Sequence, residues 1–123
     1  MNVVEFSKLV GVSAHTIRYY EKIGLLGNVH RLVNGHRYFS EKDVKWIEFV
    51  QRLKATGMPL EHIHRYAKLR MQGELTLLPR QQLLTQHAQT LKDNIATQQL
   101  HLNKLNDKIA LYQSAIDGKI ILD

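Results

Sequence analysis

Four side chains near the N-terminus, His15, Arg18, Tyr19 and Lys22 in the stretch VSAHTIRYYEKIG (residues 12–24), are of the types that hydrogen-bond to phosphates and base edges. Read at helical spacing they fall at i, i+3, i+4 and i+7 and share one stripe, while Ile17 and Tyr20 fall on another. A basic, aromatic face backed by a face that can be buried is what inserting a short helix into a nucleic-acid groove requires. A second cluster, Arg31, His36, Arg37 and Tyr38, brackets Asn34-Gly35. Cations on a hairpin tip suit phosphate or minor-groove contact, which fixes register and orientation on a duplex.

These residues need elements to hold them. In VVEFSKLV, Val4, Phe6, Leu9 and Val10 lie mostly along one helical side, and Gly11 can take the left-handed conformation that ends a helix. Ser13 is placed to cap the next helix, its hydroxyl facing the backbone N–H groups near Thr16. Helix, tight glycine-containing turn and second helix make the helix-turn-helix pattern, in which the second helix enters the major groove. Gly24 and Gly27 close that helix, with Leu25 and Leu26 between them as core contacts. Asn34-Gly35 flanked by strand-forming residues predicts a type I′ hairpin pairing Val33 with His36, Leu32 with Arg37 and Arg31 with Tyr38. Such a two-stranded wing must pack on the helices to be stable, and Phe39 is the residue to do it.

Ser40 to Asp43 has the form of a capping box, and the helix it opens repeats apolar residues at Val44, Ile47, Val50 and Leu53 with Trp46 and Phe49 beside them. Gly57 stops it. Pro59 starts another, lined by Leu60, Ile63, Ala67, Tyr66 and Met71 before Gly73. Beyond Pro79 the pattern becomes a heptad seam: Leu84, Ala88, Leu91, Ile95, Gln98, Leu102, Leu105, Ile109, Tyr112 and Ile116 alternate spacings of four and three. A helix over those positions is roughly 50 Å long, too long for a small domain at its base to cover its apolar stripe. The seam maps onto itself by reversal about Leu100, with Leu84 opposite Ile116 and Ile95 opposite Leu105, as antiparallel pairing around a two-fold axis requires. Parallel pairing remains compatible with the residues. Ile120, Ile121 and Leu122 are expected to fold back on an apolar surface.

The chain has 123 residues, 44% of them hydrophobic, no cysteine, and a formal charge of +6. Its length fits a small domain with an extension. Without cysteine there is no disulfide, zinc finger or thiolate site, and no membrane span or export signal is visible, so a cytoplasmic protein is expected. The charge is local: residues 1–72 hold 12 Lys or Arg against 6 Asp or Glu, while residues 73–123 hold 5 of each. A basic excess with aromatics among the cations is a footprint of phosphate binding. The expected division is therefore a winged helix-turn-helix DNA-binding domain over residues 1–73 and a dimerisation helix with a short tail over residues 74–123, in a mainly α fold.

With these elements in order, VGVSAHTIRYYEKIGLL, the wing NGHRYFSEKDV and the later LKATGMPLEHI closely resemble the MerR family of bacterial transcription regulators. The resemblance implies a homodimer held by an antiparallel coiled coil and bound to a pseudo-palindromic promoter element. Family members sit between the two polymerase recognition boxes of an over-long spacer and, on activation, bend and untwist it so that RNA polymerase engages both. Carried over by residue, Arg18 and Tyr19 resemble recognition-helix contacts, with Ser13, His15 and Thr16 as candidate partners at the helix start, and Arg37 and Tyr38, with Arg31, resemble wing contacts to backbone. The planar fork of Arg18 could instead read a guanine edge. His36 stands where the family often has Tyr, and Tyr20 and Phe39 resemble core positions. The chain is most similar to the short branch associated with aldehyde and electrophile stress, without a drug-binding extension. Where that branch often has a cysteine, this chain has Arg52, which excludes thiol-based sensing.

Other chemistry finds little support. His62 and His64 point about 200° apart on a helix and cannot readily share a metal, and His87 and His101 read as solvated. No phosphate-cradling glycine loop, paired carboxylates or nucleophile with a base is present, so no enzyme, metal or cofactor is expected. Two alternatives to a promoter-binding regulator stand beside it: an architectural, excisionase-like DNA-bending protein, and a coiled-coil interaction module whose basic domain binds an acidic protein.

Overall fold

The computed structural model describes residues 1–27 and 29–122. In order the elements are α1 (Val3–Val10), α2 (Ala14–Lys22), β1 (His30–Arg31), β2 (Arg37–Tyr38), α3 (Glu41–Ala55), α4 (Leu60–Met71), a 3-10 turn (Glu74–Thr76) and α5 (Leu77–Ile116). The chain divides into two compact units, Met1–Thr85 and Gln86–Asp123. The opening turns of α5 therefore belong to the first unit.

Local chemistry sets the helix boundaries of the first unit. Asn2 and Glu5 form a capping box at the start of α1, and Gly11, at φ 70°, closes it. The Ser13 hydroxyl accepts the Thr16 N–H at 3.1 Å and caps α2, as its residue type predicts. Ser40 and Asp43 complete the expected capping box of α3. α1 packs on α2 and α3, and α3 packs on α4.

One core joins these helices. Phe6 and Val10 of α1, Ile17 and Tyr20 of α2, Leu25 and Leu26, and Val44, Trp46, Ile47, Val50 and Leu53 of α3 are buried with Ile63 and Ala67 of α4. The Trp46 indole N–H donates to the Leu25 carbonyl at 2.6 Å, tying the turn after α2 to α3. Its ring stacks on Tyr66 at 5.8 Å. Val4 and Leu9 of α1 and Leu60 and Met71 of α4 are instead exposed. These helices bury only short stripes, Phe6 with Val10 and Ile63 with Ala67, each four residues apart; Val4 and Leu9 lie off the first, while Leu60 and Met71 continue the second at the two ends of α4, past its covered part. At the base of α5, Leu83 is buried and Leu84 packs against the core.

The wing is present, but its register is not that of a two-residue loop. His30 pairs with Tyr38 and Arg31 with Arg37. The Leu32 N–H donates to the His36 carbonyl and the Gly35 N–H to the Leu32 carbonyl, both at 2.8 Å. Val33, Asn34 and Gly35 therefore form a three-residue loop, with Gly35 at φ 83°. A turn closed on a left-handed glycine is the standard three-residue hairpin, whereas the type I′ reading asks the same conformation of Asn34 as well. The Asn34 side chain accepts the His36 N–H at 3.0 Å, a local bond that favours the longer loop. The expected pairs, Arg31 with Tyr38 among them, are each displaced by one residue. After β2, Phe39 is buried and stacks on Phe6, ring centroids 4.2 Å apart and 5° from parallel.

In the second unit, Gly118, at φ 74°, ends α5, and the Lys119 N–H donates to the Ser114 carbonyl at 2.9 Å. Ile120 and Leu122 then line a hollow shared with Tyr112, Ala115 and Ile116, whereas Ile121 at its rim is 96% exposed and is not covered as expected. Among the described residues no helix is long and apolar enough to cross a membrane.

Candidate nucleic-acid interface

α2 presents its two faces as the spacing requires. Ile17 and Tyr20 are buried, and His15, Arg18, Tyr19 and Lys22 are exposed. Among the described residues Arg18 and Lys22 have no hydrogen-bond or ion-pair partner, so both heads are free to take an external acceptor. Ser13 and Thr16 face each other, the Ser13 hydroxyl donating to Thr16 Oγ1 at 2.9 Å. Their first role is to cap the helix and start it at a fixed angle. The inner side is anchored by Tyr20, whose hydroxyl accepts from Lys54 Nζ at 2.9 Å. The same ammonium stands 5.2 Å from the centre of the Tyr20 ring.

The wing residues divide into two kinds. His36 and Tyr38 are exposed, Tyr38 meeting His30 edge to face at 6.2 Å. Arg31 and Arg37 point instead at Glu21 of α2, with Nη2 atoms 3.2 and 2.8 Å from its Oε1. Glu21 was absent from the sequence-based set of site residues. The only signal for it was a lone carboxylate among the cations of α2, and its partners follow from the three-residue loop alone. At the loop apex Val33 is fully exposed, with Leu32 beside it at 45%. This apolar tip between two arginines was also not anticipated.

Along α5, Leu84 and Leu91 are half-buried, and Ala88, Ile95, Gln98, Leu102, Leu105, Ile109, Tyr112 and Ile116 are all exposed in the single chain. Ile95, Leu105 and Ile109 each expose more than 60% of their surface, a run of large apolar residues that a lone helix leaves in water. Among the described residues no group of three or more His, Cys, Asp or Glu is placed to hold a metal. His62 and Arg52 are exposed on α4 and α3.

Known proteins share this arrangement. Residues 1–69 match the family model described as MerR HTH family regulatory protein. An HTH-type transcriptional regulator of Haemophilus influenzae is 41% identical over 106 residues, covering 86% of this chain and 78% of the relative. The regulator AdhR of Bacillus subtilis is 36% identical over 91 residues, covering 74% of this chain and 65% of its own length. Among solved structures, HiNmlR, a MerR family regulator lacking the sensor domain and bound to promoter DNA, superimposes with a TM-score of 0.82 at 37% identity, covering 94% of this chain and 92% of that one. A capped α2 with a free basic face, a wing pinned beside it and a matched family model lead to one assignment: the chain belongs to the MerR family of helix-turn-helix transcription regulators.

Proposed function

We propose that this protein is a homodimeric transcription regulator that binds a pseudo-palindromic promoter element, one half-site per copy, and alters the spacer for RNA polymerase. The observation that carries the DNA reading is the free, exposed pair Arg18 and Lys22 on a helix whose other face is locked into the core. Supporting it, HiNmlR, a relative that aligns over most of both chains, is bound to promoter DNA. α2 supplies the base-edge contacts through Arg18 and Tyr19, with His15 and Lys22 beside them. The wing supplies positioning on the duplex through His36 and Tyr38, with Arg31 and Arg37 turned inward to Glu21 and acting through the wing's placement. The exposed seam of α5 is the surface for the second copy, since an element with two half-sites needs two recognition helices at a set spacing. With no cysteine in the sequence, any signal acts on a group other than a thiol.

The experiment is selection of duplexes from a random pool by the purified protein, followed by titration of the enriched duplex against an unrelated one over a salt series. A two-fold symmetric motif is expected, with affinity that falls steeply as salt rises and survives excess competitor DNA. A flat salt response, or a pool with no enriched motif, rejects the reading in favour of an acidic protein partner or an architectural role respectively.

A further inference from the structure

The carboxylate of Glu21 is set among cations and is used inside the molecule. Its Oε1 receives Arg37 Nε at 2.9 Å, Arg37 Nη2 at 2.8 Å and Arg31 Nη2 at 3.2 Å. Arg31 also donates through Nη1 to the Gly35 carbonyl at 3.1 Å. One side chain of α2 thus holds both strands of the wing and, through Arg31, its loop. Arg31 and Arg37 are directly opposed in the ladder, and like charges in that position repel. Glu21 converts the repulsion into an attractive triad. The side chains of Glu21 and Arg37 are only 22% and 28% exposed, where charge-assisted hydrogen bonds keep more of their strength than at an open surface. Beyond the root at Phe39, stacked on Phe6 and bonded through its backbone to Met1, strands of two residues have little else to fix their angle to the helix.

We propose that Glu21 is a positioning residue that sets the wing against the recognition helix, so that Arg31 and Arg37 act on sequence discrimination through placement and not as free phosphate-binding charges. The inference rests on the DNA-binding reading above. With both arginines occupied, Leu32, Val33, His36 and Tyr38 are left as the parts of the wing that meet the duplex.

Glu21→Gln and Arg37→Gln, made in the full chain, test this with two readouts. One is amide hydrogen exchange of the free protein; the other is titration of the enriched and an unrelated duplex over a salt series. In Glu21→Gln the Leu32 N–H is expected to exchange at least about tenfold faster while the amides of Ile47 and Val50 stay protected. The ratio of specific to non-specific affinity falls about tenfold, while the salt slope steepens because two arginines are released to phosphates. Arg37→Gln lowers the same ratio and leaves the salt slope near that of the wild type, and it carries the test alone if Glu21→Gln does not fold. Unchanged Leu32 exchange in Glu21→Gln overturns the proposal, as does tighter binding of both duplexes by the same factor, which makes Glu21 a simple repulsive charge beside the phosphates. So does an Arg37→Gln protein that loses both affinities equally, with a slope shallower by about one per half-site, the behaviour of a free phosphate contact. If the wild type prefers no duplex, the DNA reading itself has failed, and the exchange result still decides whether Glu21 holds the wing.

Discussion

Arg18 and Lys22 stand on the same face of α2 with no internal acceptor competing for either, yet DNA chemistry separates their roles. A guanidinium can span the two acceptors of a guanine edge, which an ammonium matches only as a point charge. Arg18→Ala should therefore cost about 1–3 kcal/mol on the enriched duplex and relax preference at one position, with the dimer intact by sedimentation. Lys22→Ala should weaken enriched and unrelated duplexes alike and lower the salt slope by about one per half-site. Fluorescence anisotropy over a salt series separates the two. The exposed face they share was legible in the sequence because a helical stripe needs only local spacing. Glu21 was not, because its role depends on where the wing arginines fall, and that depends on a loop one residue longer than Asn34-Gly35 suggests.

Among the elements, the wing is held at its root by the Phe6–Phe39 stack and the backbone bonds between Phe39 and Met1, and at its side by the Glu21 triad, while the left-handed Gly35 closes its loop. Phe39→Ala removes a buried ring from the core shared with α1 and should destabilise the first unit by about 3–5 kcal/mol. Urea unfolding followed by the fluorescence of Trp46, the single tryptophan, measures it. Gly35→Ala strains one exposed loop by about 1–2 kcal/mol, so it should loosen the wing and weaken DNA binding with little change in the urea midpoint. The buried face of α3 could be read from Val44, Ile47, Val50 and Leu53 because it recurs at four positions spaced three residues apart. α1 and α4 are shorter and bury narrower stripes, so periodicity alone included Val4, Leu9, Leu60 and Met71, which tertiary packing leaves in water. The hairpin register was decided by a side-chain bond from Asn34, information that a dipeptide signal does not contain.

For the whole molecule, the proposed dimer needs a spacer between its two copies of the DNA-binding surface. The alternating four and three of the α5 seam survive in the structure as a 40-residue helix whose apolar stripe is exposed over most of its length. That helix was the most legible part of the chain, since a heptad sustained over so many turns has few other uses. The two-fold reversal of the seam about Leu100 adds an antiparallel orientation to the proposal, with Ile95 of one copy near Leu105 of the other. Ile95→Asp sets a charge into that contact and should yield monomers in sedimentation, with tight operator binding lost and the first unit still folded by its Trp46 urea transition.

The central claim is that two copies of the α2 and wing reader, held at a fixed distance by α5, engage one two-fold symmetric site. Hydroxyl-radical footprinting of the enriched duplex tests it most directly. Two protected patches are expected, related by a two-fold axis and spaced by one or more turns of about 10 base pairs, both lost together in Ile95→Asp. A single protected patch, or a footprint in which Ile95→Asp keeps both patches at wild-type affinity, contradicts it.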